Sequence, residues 1–196
     1  MEIERCSFAT KLKHREAIGS NPIGPILFKM KKTIIGVMGP GKGGEATAKD
    51  IENAKKLGKY IAQNGWILLT GGMNTGIIDA VNKAAKEKGG LTVGITSTDD
   101  RSRFSKAVDI PIITKMSSGR NFINALSSDI MIACGMGAGT ASEVALGIQA
   151  GKKIILLSNN ESSKSFFKSI GKNQIYVAQT PEEAIAAEKK IKGWSR

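Results

Sequence analysis

Short apolar runs alternate with longer segments of helical spacing from residue 33 to the carboxyl end of this 196-residue chain. Thr33–Met38 (TIIGVM), Trp66–Thr70 (WILLT), Leu91–Thr96, Ile110–Thr114, Asp129–Cys134, Lys153–Ser158 and Gln174–Ala178 read as strands. Helices are expected over about 45–64, 77–88, 118–127, 140–150 and 162–170, and a last one opens at Thr180-Pro181-Glu182-Glu183. In the first of them Ile51, Ala54, Leu57 and Ile61 recur at helical spacing. In the last, a capping threonine precedes a proline and first-turn acids. The strands are continuously apolar rather than alternating, which means a parallel sheet covered on both faces. The expected fold class is α/β: a doubly wound, mostly parallel sheet with helices on both faces, in one domain spanning 33–196. Residues 1–32 have no clear period and are expected to form an extension outside it.

Three glycine-rich turns follow strands of that sheet: 39–44 (GPGKGG), 71–76 (GGMNTG) and 135–139 (GMGAG). In open parallel sheets, ligands bind beyond the carboxyl ends of the strands, where the strand order reverses. The three turns can therefore converge on one site. Glycine permits positive φ and close backbone approach. The free N–H groups and dipole of a helix start favour an anion. Gly135, Gly137 and Gly139 are expected to cradle a phosphate, with Thr140 capping the helix that follows. Glu143 is then either a capping-box partner or a carboxylate that touches the ligand. Gly71, Gly72 and Gly76 are candidate phosphate or sugar contacts, and so are Gly39 and Gly41. Arg120, after Ser117-Ser118-Gly119, offers a planar fork matched to phosphate or carboxylate.

Neighbouring chemistries fit less well. Gly39-Pro-Gly-Lys-Gly-Gly44 matches the string of a dinucleotide fingerprint, but the second strand ends in Leu69-Thr70-Gly71 without the ribose-binding acid. Gly36 to Lys42 nearly matches a P-loop, but lacks the Ser/Thr for magnesium. The single histidine, His14, lies in the N-terminal stretch, and the two cysteines, Cys6 and Cys134, form no metal pattern. No metal site is expected. Free thiols point to a reduced, cytoplasmic setting, and no run approaches a membrane span. Residues 97–108, with Asp99, Asp100, Arg101 and Arg103, read as a loop or short helix. The net charge of +12 is spread over helix lysines such as Lys55, Lys59, Lys83 and Lys86. Without interleaved aromatics this reads as a solvated face rather than a nucleic-acid surface.

Met116-Ser-Ser-Gly-Arg120-Asn, Asp129 and Gly135-Met-Gly-Ala-Gly-Thr140-Ala-Ser-Glu143 together resemble the LOG-like superfamily, proteins often labelled "lysine decarboxylase". The resemblance covers about residues 33–195. It implies a Rossmann-like fold and dimers or tetramers. It also implies that Arg120 and Glu143 act together on a nucleoside 5′-monophosphate, releasing the base. The family's arginine motif carries a histidine that is absent here, Gly135 stands for its proline, and Met136 for a glycine. These departures resemble the branch of molybdenum-cofactor carrier proteins, which bind a phosphate-bearing pterin without needing turnover. The decarboxylase label implies pyridoxal phosphate, and no lysine is singled out to hold it. The expected ligand is therefore a nucleoside monophosphate or a molybdopterin-type cofactor, with no cofactor required. Nucleic-acid binding, suggested by the charge and by distant Rossmann relatives, is a third class.

Overall fold

A computed structural model describes residues 32–40 and 46–193 of the chain. Residues 1–31 of the expected extension, and Gly41 of the first glycine turn, lie outside the described residues. The strands are β1 (Ile34–Met38), β2 (Ile67–Thr70), β3 (Leu91–Thr96), β4 (Ile110–Ile113), β5 (Ile130–Cys134), β6 (Lys153–Leu157) and β7 (Ile175–Val177). The helices are α1 (Ala48–Gln63), α2 (Gly76–Glu87), α3 (Arg120–Ser127), α4 (Ala138–Gln149), α5 (Glu161–Gly171) and α6 (Pro181–Gly193). All seven strands are parallel, in the order β4-β3-β2-β1-β5-β6-β7.

The strands are apolar throughout because side chains alternate between two buried faces. In β5, Ile130, Ile132 and Cys134 pack with α1, α2 and α6 residues such as Leu57, Ile77 and Ile185. Met131 and Ala133 pack on the other side with Ala125 of α3, Val144 of α4 and Phe167 of α5. Each fully buried isoleucine or leucine in these layers contributes roughly 1.5–3 kcal/mol of burial. The two edge strands depart from this pattern: β4 exposes Ile110, Ile112 and Ile113, and β7 leaves Tyr176 and Val177 half-buried.

Helix α1 begins three residues later than its periodicity predicts. Thr47 and Asp50 form a capping box there: Asp50 N–H donates to Thr47 Oγ1 (3.1 Å), and Thr47 N–H donates to Asp50 Oδ2 (3.0 Å). Glycine then brings α1 close to α2, since a Cβ on Gly58 would stand 2.9 Å from the Ala85 nitrogen. Asp129 secures the start of β1 by accepting from Ile34 N–H at 2.9 Å.

The strand order reverses at β1. The chain runs outward through β2, β3 and β4, then returns by α3 to lay β5 on the other side of β1. Gly39 and Pro40, the two later glycine turns and the start of α3 all lie at strand carboxyl ends.

Candidate functional site

A cleft of about 700 Å³ opens at this edge of the sheet. Its walls come from the β1, β2 and β3 ends, the 3-10 turn before α3 and the first turns of α4. Gly39, Arg120, Gly137, Gly139, Thr140 and Glu143, expected from the sequence, all line it. Gly71, Gly72, Gly76 and Gly135 do not. They shape the walls from behind.

Gly135 makes the turn out of β5. It sits at φ +74°, and its N–H donates to Leu157 O at 2.9 Å. A Cβ there would press on Pro40 and Asp50 at 3.1–3.2 Å. The chain then extends through Gly137, which is the N-cap of α4. Thr140 is thus not the cap expected from the sequence but the third helical residue, and Glu143, six positions in, is not a capping-box partner. The first helical bond runs from Ala141 N–H to Gly137 O at 2.8 Å. The three preceding N–H groups have no acceptor within the helix. Gly139 bears no neighbour within 4 Å of where a Cβ would stand, so its backbone faces open cleft. Thr140 is 2% exposed, and its Oγ1 has no hydrogen-bond partner among the described residues. An orphan buried hydroxyl costs about 1–3 kcal/mol, so the first turn of α4 presents both unused donors and an unused hydroxyl.

Opposite stands Arg120, first residue of α3. The approach to it is strained: Lys115 and Ser117 adopt positive φ (55° and 47°) without being glycine. The guanidinium lies against Gly71, where a Cβ would fall 2.8 Å from Cζ and Nη2 and nearer still to Nη1. That is the reason for a glycine at this position. Nη1 of Arg120 is 3.6 Å from Glu143 Oε1. Glu143 is 6% exposed and accepts from Asn124 Nδ2 at 2.8 Å. Burial pushes its carboxyl above the ordinary glutamate value of 4.5, against the opposing pull of the Arg120 charge and the Asn124 hydrogen bond. Asn121 donates to Ser142 Oγ (2.8 Å), which in turn donates to Gly139 O (2.7 Å), tying α3 to the α4 start.

Gly72 and Gly76 serve the backbone. Gly72, at φ +69°, has its N–H bound to Thr70 Oγ1 (3.1 Å) and its carbonyl bound to Ser105 N–H (2.9 Å), with Gly94 of β3 crowding its Cα. Gly76, at φ +58°, opens α2. Cys134 is fully buried, with its thiol pKa raised by burial, and stands in the core rather than the cleft. Sequence reasoning missed Asn124, although its position four residues after Arg120 puts the two on one helix face. It also missed Thr75, Ser97, Thr98 and Arg103 as lining residues. Thr75 belongs to the second glycine turn, whereas Ser97, Thr98 and Arg103 come from the loop after β3, which carries no motif. Among the described residues there is no group of three His, Cys, Asp or Glu side chains able to hold a metal, and no helix is long and apolar enough to cross a membrane.

A doubly wound parallel sheet, with a polar cleft at its switch point and a glycine-capped helix start on one wall, makes this a Rossmann-like α/β protein. The chain belongs to the SLOG cluster4 family, whose model matches residues 32–185. It is similar to the molybdenum cofactor binding protein from the phototrophic bacterium Rippkaea orientalis: 47% identity, 83% of this chain and 98% of that one, TM-score 0.80. It is similar also to the Moco carrier protein from Chlamydomonas reinhardtii (Moco, molybdenum cofactor): 46% identity, 83% and 99% coverage, TM-score 0.78. An uncharacterised protein of Archaeoglobus fulgidus is 36% identical over 156 residues, 80% of this chain and 94% of its own length.

Proposed function

We propose that this protein is a carrier of molybdenum cofactor, holding the phosphate-bearing pterin as cargo without turning it over. The observation that carries the reading is the buried, unpartnered hydroxyl of Thr140 beside the open amino terminus of α4. It fits the phosphate of such a cargo: the hydroxyl would donate to a phosphate oxygen, and the N–H groups near Gly139 would supply the rest of the cradle. Arg120 orients the phosphate-bearing part from the opposite wall. The cleft volume suits a ligand of pterin size. The identity of the cargo rests on the two relatives at 46–47% identity.

A second reading has its own observation. Arg120 and Glu143, which the LOG-like resemblance pairs as the hydrolytic couple, line one cleft 3.6 Å apart. In a nucleoside 5′-monophosphate phosphoribohydrolase, Glu143 would hold the ribose hydroxyls or assist attack at C1′. Against turnover, Glu143 is already held by Arg120 and Asn124, and its burial favours the protonated form. Incubation with a panel of nucleoside monophosphates, assayed for free base, separates the two. No release from any of them supports carriage. Release that Glu143→Gln abolishes establishes the hydrolase.

A further inference from the structure

We infer that the cleft is built for a ligand with two separated anionic groups, and that Arg103 holds the second. This rests on the reading of the α4 start as a phosphate site and adds a partner for the ligand's other end. Among the described residues two cations line the cleft, Arg120 and Arg103, and one acid, Glu143. Arg120 is matched by Glu143 at 3.6 Å. Arg103 is matched by nothing: among the described residues no carboxylate pairs with it. The nearby acids are engaged elsewhere. Asp99 pairs with Lys115 at 2.7 Å. Asp100 accepts from Ser102 N–H and Oγ. Asp79 accepts from Ser105 Oγ and pairs with Lys83, both at 2.7 Å.

The backbone that carries Arg103 is fixed to the second glycine turn. Asn74 N–H donates to Arg103 O, and Asn74 Nδ2 donates to Ser102 O, both at 2.9 Å. Met73 and Phe104 form an antiparallel bridge, and Ser105 N–H reaches Gly72 O at 2.9 Å. A loop of charged residues is thereby clamped at the cleft's edge. An arginine on a fixed backbone loses less freedom when it grips an anion. Ser97 and Thr98, at the end of β3, add hydroxyls to the same wall. A pterin phosphate whose other end carries an anionic metal–oxo group has this two-ended chemistry, whereas a nucleoside monophosphate has one anion only.

The test uses bisphosphates of straight-chain diols, of increasing chain length, against the matching monoalkyl phosphates on the full chain. The expected result is a chain length at which the bisphosphate binds about tenfold or more tightly than the monoester. That gain disappears in Arg103→Gln and largely returns in Arg103→Lys. Arg103 is exposed, so both variants fold, which a thermal melt checks. If the monoester binds and no bisphosphate improves on it, or if the gain persists in Arg103→Gln, the role of Arg103 is refuted while the phosphate site stands. If neither monoester nor bisphosphate binds, the phosphate reading and this inference fall together.

Discussion

Arg120 Nη1 lies 3.6 Å from Glu143 Oε1, with the arginine 18% and the glutamate 7% exposed at their side chains. Burial of Glu143 outweighs the opposing pull of the Arg120 charge and the Asn124 hydrogen bond, so its carboxyl pKa is raised. A carboxyl whose folded pKa is raised binds its proton more tightly folded than unfolded. Its contribution is full below about pH 4.5 and is lost as pH rises through the folded value. Glu143→Gln, which mimics the protonated form, is therefore expected to stabilise the ligand-free protein at pH 7. The expected gain shows as a higher Tm for Glu143→Gln at pH 7. Below pH 4 the two proteins should melt together. Calorimetry across pH 3.5–8 checks both halves.

Thr140→Val separates stability from binding. The valine keeps the shape and removes a buried hydroxyl that has no partner. The ligand-free protein should melt at the same temperature or higher, while affinity for a phosphate ester drops about tenfold, the loss of one charge-assisted hydrogen bond. Isothermal titration and a melt on the same sample decide it. A structural hydroxyl would show the opposite pattern, with Tm falling and affinity intact.

Gly139 and Gly72 should behave in opposite ways. An alanine at Gly139 meets nothing within 4 Å, so stability holds or gains up to about 1 kcal/mol and Tm does not fall, while the methyl enters the cleft and weakens phosphate binding. At Gly72, an alanine takes φ +69° at a cost of about 1–2 kcal/mol and crowds Gly94 at 3.1–3.3 Å. Gly72→Ala should lower Tm and loosen the clamp on residues 102–105. Denaturant melts of the two variants give the comparison.

The order of strands and helices was legible because both faces of the sheet are buried, so apolar runs and their glycine stops survive in the sequence. The shape of the cleft was legible where glycine leaves room for open space or for Arg120, as at Gly139 and Gly71. It was misread where a turn sets the helix register. Gly135 at φ +74° and the extended Gly137 start α4 before Thr140, so a hydroxyl that looked like a cap is a buried orphan instead. Gly72, Gly76 and Gly135 look like ligand contacts in the chain, yet their backbones serve neighbouring strands and helices. Arg103 was invisible as a site residue because its position depends on hydrogen bonds to Asn74, 29 residues earlier in the chain.

Gly71→Ala offers an indirect test of Arg120. The methyl would occupy the guanidinium's place and drive it from Glu143. Affinity for phosphate esters should fall by about the same factor as in Arg120→Ala, and the double variant should fall no further, since both changes remove one interaction. Additive losses would show that Gly71 and Arg120 act separately.

Loading with the cargo tests the central claim most directly. The protein is mixed anaerobically with molybdenum cofactor freed from a molybdoenzyme, passed through a desalting column, and the retained pterin and phosphate are quantified. The account predicts close to one intact pterin phosphate per chain, with retention sharply reduced in Thr140→Val and Arg120→Ala. Passage of the pterin through the column unbound, with the protein folded, contradicts it.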